Sequence, residues 1–209
     1  MSKSCVIFAG GEPVGAQVTD RELCESSLVI CADRGYDLAE SLGIAADLIM
    51  GDFDSAKARP LGENVIAFKP EKDDTDLMLA LKEGLRQGCD DFTLYGACGG
   101  RLDHMIGNIQ GLRYLAQRGA RGRIVSENDI ITVLKPGKYE FFRKEGWSLS
   151  FFALSDRLEG FTVGGVKYEA HGITLSNDIP LGISNEIIGE KAVMSFSRGI
   201  IAAVESNLL

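Results

Sequence analysis

Phe92-Thr93-Leu94-Tyr95 runs directly into Gly96-Ala97-Cys98-Gly99-Gly100-Arg101-Leu102-Asp103-His104, after which Met105, Ile109, Leu112 and Ala116 recur at helical spacing. A short apolar or β-branched run reads as a buried strand, and apolar residues three and four apart read as one face of a helix. The stretch is therefore strand, glycine loop, helix. Toward the amino terminus the same units repeat. Val6-Ile7-Phe8-Ala9, Leu28-Val29-Ile30-Cys31, Leu48-Ile49-Met50 and Val65-Ile66-Ala67-Phe68 read as strands, and Leu77, Leu81 and Leu85 mark a helix after the fourth. Such alternation predicts a mostly parallel sheet with flanking helices, whose ligands gather in loops at the carboxyl ends of the strands.

Past about Asn128 the helical periodicity fades. Trp147-Ser148-Leu149-Ser150-Phe151-Phe152, Val163-Gly164-Gly165-Val166 and Val193-Met194-Ser195-Phe196 are strand-like runs between turn residues, so this smaller part reads as all-β. The boundary falls near residues 128 to 137, where Lys135-Pro136-Gly137 marks a turn. Dividing the chain as 1-130 and 131-209 leaves strand-like Ile130 to Leu134 compatible with either side.

With 209 residues, 45% of them hydrophobic and 25% charged, the chain has enough apolar material for a packed core. Its formal net charge of -8 repels a phosphate backbone and argues against nonspecific nucleic-acid or anionic-membrane binding. A nucleotide is still admissible where metal ions or a few arginines offset the carboxylates. The five cysteines, Cys5, Cys24, Cys31, Cys89 and Cys98, are odd in number and form no CxxC pair, which fits reduced thiols in the cytoplasm. The apolar run after Met1-Ser2-Lys3-Ser4 is too short for a signal peptide, and no later run reaches membrane-spanning length.

Acidic residues cluster just past the expected strands. Asp33 follows the second, Gly51-Asp52-Phe53-Asp54-Ser55 the third, and Lys72-Asp73-Asp74-Thr75-Asp76 the fourth, where it opens a helix. A parallel sheet brings all three groups to one edge. In an extended segment Asp52 and Asp54 point the same way, roughly 7 Å apart. Two carboxylates within about 4 Å repel by roughly 4 kcal/mol at an effective dielectric of 20, so a converging set needs a compensating cation or protons. Magnesium suits carboxylate oxygens and bridges substrate phosphates. Asp73, Asp74 and Asp76 also fit the plain role of helix caps. The spacing after Asp52 lacks the glycine and glutamate of a calcium EF-hand.

In the loop from Gly96 to His104, the glycines let backbone approach a ligand, Arg101 offers a planar fork to phosphate oxygens, and the helix start offers free N–H groups. The loop is neither GxxxxGK[ST] nor GxGxxG. A glycine turn capped by Asp103, with Arg101 in a surface ion pair, explains the same residues. Gly10-Gly11 after the first strand offers backbone to a nucleotide, though a plain turn explains the pair better.

Together, Ala32-Asp33, Gly51-Asp52-Phe53-Asp54-Ser55, Asp73-Asp74-Thr75-Asp76, Gly99-Gly100-Arg101-Leu102-Asp103-His104 and Gly182-Ile183-Ser184-Asn185-Glu186 resemble, in order along nearly the whole chain, the bacterial thiamine pyrophosphokinase family. The resemblance implies an α/β ATP-binding catalytic domain over 1-130, then a β-sandwich domain over 131-209 for thiamine binding and dimerisation. It implies transfer of the diphosphate of ATP to the thiamine hydroxyl, with magnesium, in a cytoplasmic homodimer whose active sites lie at the interface. Carried over by position, Asp52, Asp54, Asp73 and Asp76 hold the metal. Asp54, Asp73, Asp76, Arg101 and Asp103 carry the chemistry. Asp33, Gly51, Asp52, Thr75, Gly99, Gly100, Arg101 and His104 bind ATP, and Ser184 and Asn185 contact thiamine. Without the resemblance, Ser184-Asn185 reads as a turn between strands. Arg34 stands where many relatives have glycine, and Trp147 is expected in a core. The rival readings are a pyrophosphokinase for another alcohol, such as a pterin, and a nonenzymatic nucleotide or thiamine sensor.

Overall fold

The structure is a computed structural model describing residues 2–51, 64–67 and 73–208. The chain divides into two compact units, Met1–Glu127 and Asn128–Leu209.

The first unit alternates strand and helix: β1 (Ser4–Phe8), α1 (Arg21–Ser26), β2 (Leu28–Ala32), α2 (Gly35–Ser41), β3 (Leu48–Gly51), β4 (Val65–Ala67), α3 (Asp76–Arg86), β5 (Asp91–Tyr95), α4 (Leu102–Gln117) and β6 (Arg121–Val125). Its strands lie in the order β6-β5-β1-β2-β3-β4, and every pairing is parallel. Alternate residues of β1 face opposite sides of the sheet. Val6 and Phe8 pack with Cys31, Leu38 and Tyr95, beneath α1 and α2. Helix α3 contacts β1, β2 and β3, and α4 contacts β6 and α3. Burial on both faces accounts for the nearly continuous apolar runs in β1, β2 and β5, whose last four residues are all buried.

The leucine spacing expected of two helices corresponds to α3 and α4. Helices α1 and α2 and strand β6 carry no comparable pattern and were not expected. Strand β6 reads Arg-Gly-Arg-Ile-Val, with both arginines exposed and Gly122 and Ile124 buried, so it lacks an apolar run.

The second unit is antiparallel: β7 (Asp129–Leu134), β8 (Gly137–Phe142), β9 (Trp147–Ala153), β10 (Arg157–Gly164), β11 (Ala170–Ser176), β12 (Gly182–Asn185), β13 (Lys191–Phe196) and β14 (Ile201–Asn207). One layer runs β12-β9-β14-β7 and the other β11-β10-β13-β8. Their inner faces share one core, in which Leu149, Phe151 and Ala203 of the first meet Phe141, Phe161 and Met194 of the second. Phe151 meets Phe141 edge-on at a 5.8 Å centroid distance, and Phe161 at 5.3 Å. This is the expected sandwich. Trp147 sits half-buried at the start of β9 rather than in the core, with the Lys144 ammonium 4.7 Å from its ring centroid.

Candidate functional site

In the first unit the strand order reverses at β1: the chain proceeds from β1 to β2, β3 and β4 on one side, then returns to lay β5 on the other. A ligand crevice is expected at such a reversal, beyond the carboxyl ends of the strands. The loops after β1 and β5 meet there. Gly11 N donates to Gly96 O at 2.6 Å, and Glu12 N donates to Cys98 O at 3.1 Å. Gly96, Gly99 and Gly100 all have φ between +65° and +75°, a region side-chain-bearing residues adopt only with strain. Added Cβ atoms at Gly96 and Gly99 would overlap Ala9 O and the Glu12 carboxylate. Gly96 thus lets the two loops touch through bare backbone, while Gly99 leaves room for the Glu12 carboxylate, which accepts from Gly100 N at 3.3 Å. Asn108 of α4 fixes the second loop by donating to Ala97 O at 2.7 Å.

Arg101 is the N-cap residue of α4 and provides no side-chain cap; in the first turn His104 N donates to Asp103 Oδ1 at 2.9 Å, and an anion can reach the N–H groups before it. Asp103 is not the cap. Instead it receives a forked pair from Arg101, Nη2 to Oδ2 at 2.6 Å and Nε to Oδ1 at 3.1 Å. The hydrogen bond from Arg101 holds the Asp103 carboxyl below its usual range, and Asp103 in turn raises Arg101. Both side chains are largely exposed, 72% and 65%, so the pair is screened and easily exchanged for a ligand. His104 is exposed too.

Asp33 follows β2 with φ +48° and donates its backbone N–H to Met50 O at 2.8 Å. Gly51, at the end of β3, leaves it room: a Cβ there would lie 3.0 Å from Asp33 Cα. Beyond β4, Thr75 caps α3, its hydroxyl accepting from Met78 N at 3.2 Å. Asp74 pairs with Lys82 at 2.6 Å. Asp73 is exposed and Asp76 half-buried in the first turn. Asp33, Gly51, Asp73, Thr75, Asp76, Gly99, Gly100, Arg101, Asp103 and His104 therefore all lie at or past carboxyl ends of strands of one parallel sheet. Asp52 and Asp54 lie outside the described residues. Among the described residues no group of three or more acidic, histidine or cysteine side chains is placed to hold a metal ion.

Ser184 and Asn185 belong to the other unit, in β12. Ser184 is exposed, has φ +56° and donates its N–H to Ser150 Oγ at 3.0 Å. Asn185 is 6% exposed, and its amide is engaged at both ends. Its oxygen accepts from Tyr168 N and Glu186 N, both at 3.0 Å, and its nitrogen donates to Tyr168 O at 2.8 Å. It fixes the backbone around Ser184 and Tyr168. Sequence reasoning missed Glu12, Ser150 and Tyr168 because their contacts join segments distant in sequence, which no local pattern announces.

A switch-point crevice rimmed by carboxylates, a glycine loop, a helix amino terminus and an exposed arginine, on an α/β unit followed by a β-sandwich, defines a nucleotide-handling class of protein. Residues 19–123 match the thiamin pyrophosphokinase catalytic domain and residues 138–201 its vitamin B1 binding domain. The chain is 32% identical over 193 residues to thiamine pyrophosphokinase of Bacillus subtilis, covering 88% of this chain and 89% of that one. The crystal structure of thiamine pyrophosphokinase from Bacillus subtilis superposes with a TM-score of 0.85 at 30% identity, covering 99% and 100% of the two chains. That of thiamin pyrophosphokinase from Geobacillus thermodenitrificans gives 0.82 at 29%, covering 98% and 97%. The chain belongs to the thiamin pyrophosphokinase family.

Proposed function

We infer that this chain is a thiamine diphosphokinase, transferring the diphosphate of ATP to the hydroxyl of thiamine to give thiamine diphosphate and AMP. The observation that carries the reading is the gathering of carboxylates, glycine loop and Arg101 at one edge of the parallel sheet, in a chain of this family. The match of residues 138–201 to a vitamin B1 binding domain favours thiamine over a pterin alcohol.

The thiamine hydroxyl oxygen attacks the β-phosphorus of ATP, forming one O–P bond as the bond from the β-phosphorus to the oxygen bridging it to the α-phosphate breaks. AMP leaves with that bridging oxygen. Acceleration in such transfers comes chiefly from positioning and charge neutralisation. Gly99 and Gly100 bring backbone to the phosphates, Arg101 swaps its partner Asp103 for phosphate oxygens, and the amino end of α4 receives negative charge. A carboxylate of the acidic loops takes the hydroxyl proton. The donor set is all carboxylate oxygen, which suits magnesium. Asp52, Asp54, Asp73 and Asp76 would hold the ion, which would supply positive charge against the triphosphate. Asp33, Gly51, Thr75 and His104 complete the ATP site. Ser184 meets thiamine directly, while the buried amide of Asn185 supports that surface from beneath.

The reading extends to a cytoplasmic homodimer with shared active sites. Its support is the absence of disulfides among the five cysteines and the exposed apolar side chains in both units, among them Leu102 and Ile106, and Ile179, Leu181 and Ile183. No helix among the described residues is long and apolar enough to cross a membrane.

The purified chain incubated with thiamine, ATP and magnesium is expected to release AMP together with thiamine diphosphate, and omitting the metal should abolish both. Asp54→Asn and Asp76→Asn should each remove turnover with the fold intact by circular dichroism. Near-normal turnover in both would defeat the metal assignment.

A further inference from the structure

The edge of the parallel sheet where β2 and β3 begin holds an open cavity of about 330 Å³, within the range of small-ligand sites, about 300–1,000 Å³. The acidic and glycine loops all lie at the other edge, so this cavity is separate from the candidate ATP site. Arg21 and Glu25 of α1 and Asp47 just before β3 bring three charges to its wall. Arg21 and Glu25 are four apart and share one face of α1. Cys24, Val29, Ile44 and Ala45 supply apolar surface.

Two of the charged groups are held in place. Arg21 Nη2 donates to Leu42 O at 2.7 Å, which uses one N–H of the guanidinium fork and leaves the rest to a ligand. Asp47 Oδ2 accepts from Val29 N at 2.8 Å, and Asp47 N donates to Val29 O at 2.9 Å. The second Asp47 oxygen, Oδ1, has no hydrogen-bond partner among the described residues. Nor does Arg21 form an ion pair with Glu25 or Asp47, although all three line one cavity. Ser27, on the same wall, carries a hydroxyl oxygen that is shielded from solvent and has no hydrogen-bond partner among the described residues. Leaving such a hydroxyl unmet is costly, and a ligand group entering the cavity can meet it.

Opposite charges kept apart around a partly apolar cavity match a ligand that carries both signs on a short carbon chain. A simple anion would meet two carboxylates there, and a simple amine would meet the arginine. We propose that this cavity binds a small aliphatic α-amino acid. Its carboxylate lies on Arg21 and the Ser27 hydroxyl, its ammonium on Asp47 and Glu25, and its side chain against Val29 and Ile44.

Calorimetric titration of the full chain with L-leucine tests it, without nucleotide or thiamine, so the outcome does not depend on the reaction proposed above. Two analogues divide the charges: 3-methylbutylamine is leucine without its carboxylate, and 4-methylpentanoate is leucine without its amine. Leucine should bind once per chain, and each analogue about tenfold more weakly or worse, the scale of a lost charged hydrogen bond. Arg21→Gln and Asp47→Asn should each weaken leucine by about the same factor with unchanged circular dichroism, since an amide oxygen at position 47 still accepts from Val29 N. Absence of saturable leucine binding to the folded wild-type chain overturns the proposal. Unchanged leucine affinity in both variants does so too, because the amino acid then sits elsewhere. Either analogue binding as tightly as leucine also defeats it, by making the missing charge irrelevant.

Discussion

Gly35 opens α2 with its Cα pressed on the backbone of β1, where an added Cβ would overlap the carbonyl oxygen of Phe8. Neither partner is a flexible side-chain tip, so the contact cannot be relieved cheaply, and Gly35→Ala should lower stability by roughly 3 kcal/mol, the upper end of overpacking costs. Gly43 gives the matched control. Its φ is +67° with nothing within 4 Å of an added Cβ, so Gly43→Ala should cost only the left-handed penalty, about 1 kcal/mol. Urea unfolding of the two variants checks the difference, and equal losses would show that crowding at Phe8 is not what demands glycine. Gly35 also seats the start of α2 on β1.

Thr75 closes the amino end of α3 between Asp74 and Asp76. Thr75→Ala should destabilise the chain by about 1 kcal/mol and lower kcat by loosening both neighbouring carboxylates, whereas Thr75→Ser should restore both; denaturant midpoints and steady-state rates provide the readout. The element that bears these residues was legible in advance because Leu77, Leu81 and Leu85 repeat along it, and Leu77 and Leu81 are buried against the sheet. Helix α2 was not legible: of its residues only Gly35, Leu38 and Ala39 are buried, too few to set a period. Acidic residues past strands could be read because strand ends were apolar and contiguous. The engagement of Asn185 with Tyr168 could not, since an antiparallel turn reads alike whether its amide faces solvent or a neighbouring chain segment.

Thiols report on the molecule as a whole. Cys5, Cys24, Cys31 and Cys89 are buried and Cys98 partly exposed. Burial raises the first four, Cys31 to about 12, so none offers a thiolate at neutral pH. A thiol reagent should therefore modify Cys98 alone in the native protein and all five on unfolding, and ATP should slow the native reaction because Cys98 precedes Gly99. Rapid labelling of a second cysteine without unfolding would contradict the burial. The strand order has a further consequence, for biosynthesis. Strand β1 leaves the ribosome early and can join β2 soon after, but its other edge pairs Ser4 with Asp91 and Phe8 with Tyr95. Until that distant segment is made, one of the two central strands of the first unit presents unsatisfied amides and bare apolar surface. Nascent chains halted before Asp91 should accordingly be chaperone clients, released once β5 emerges.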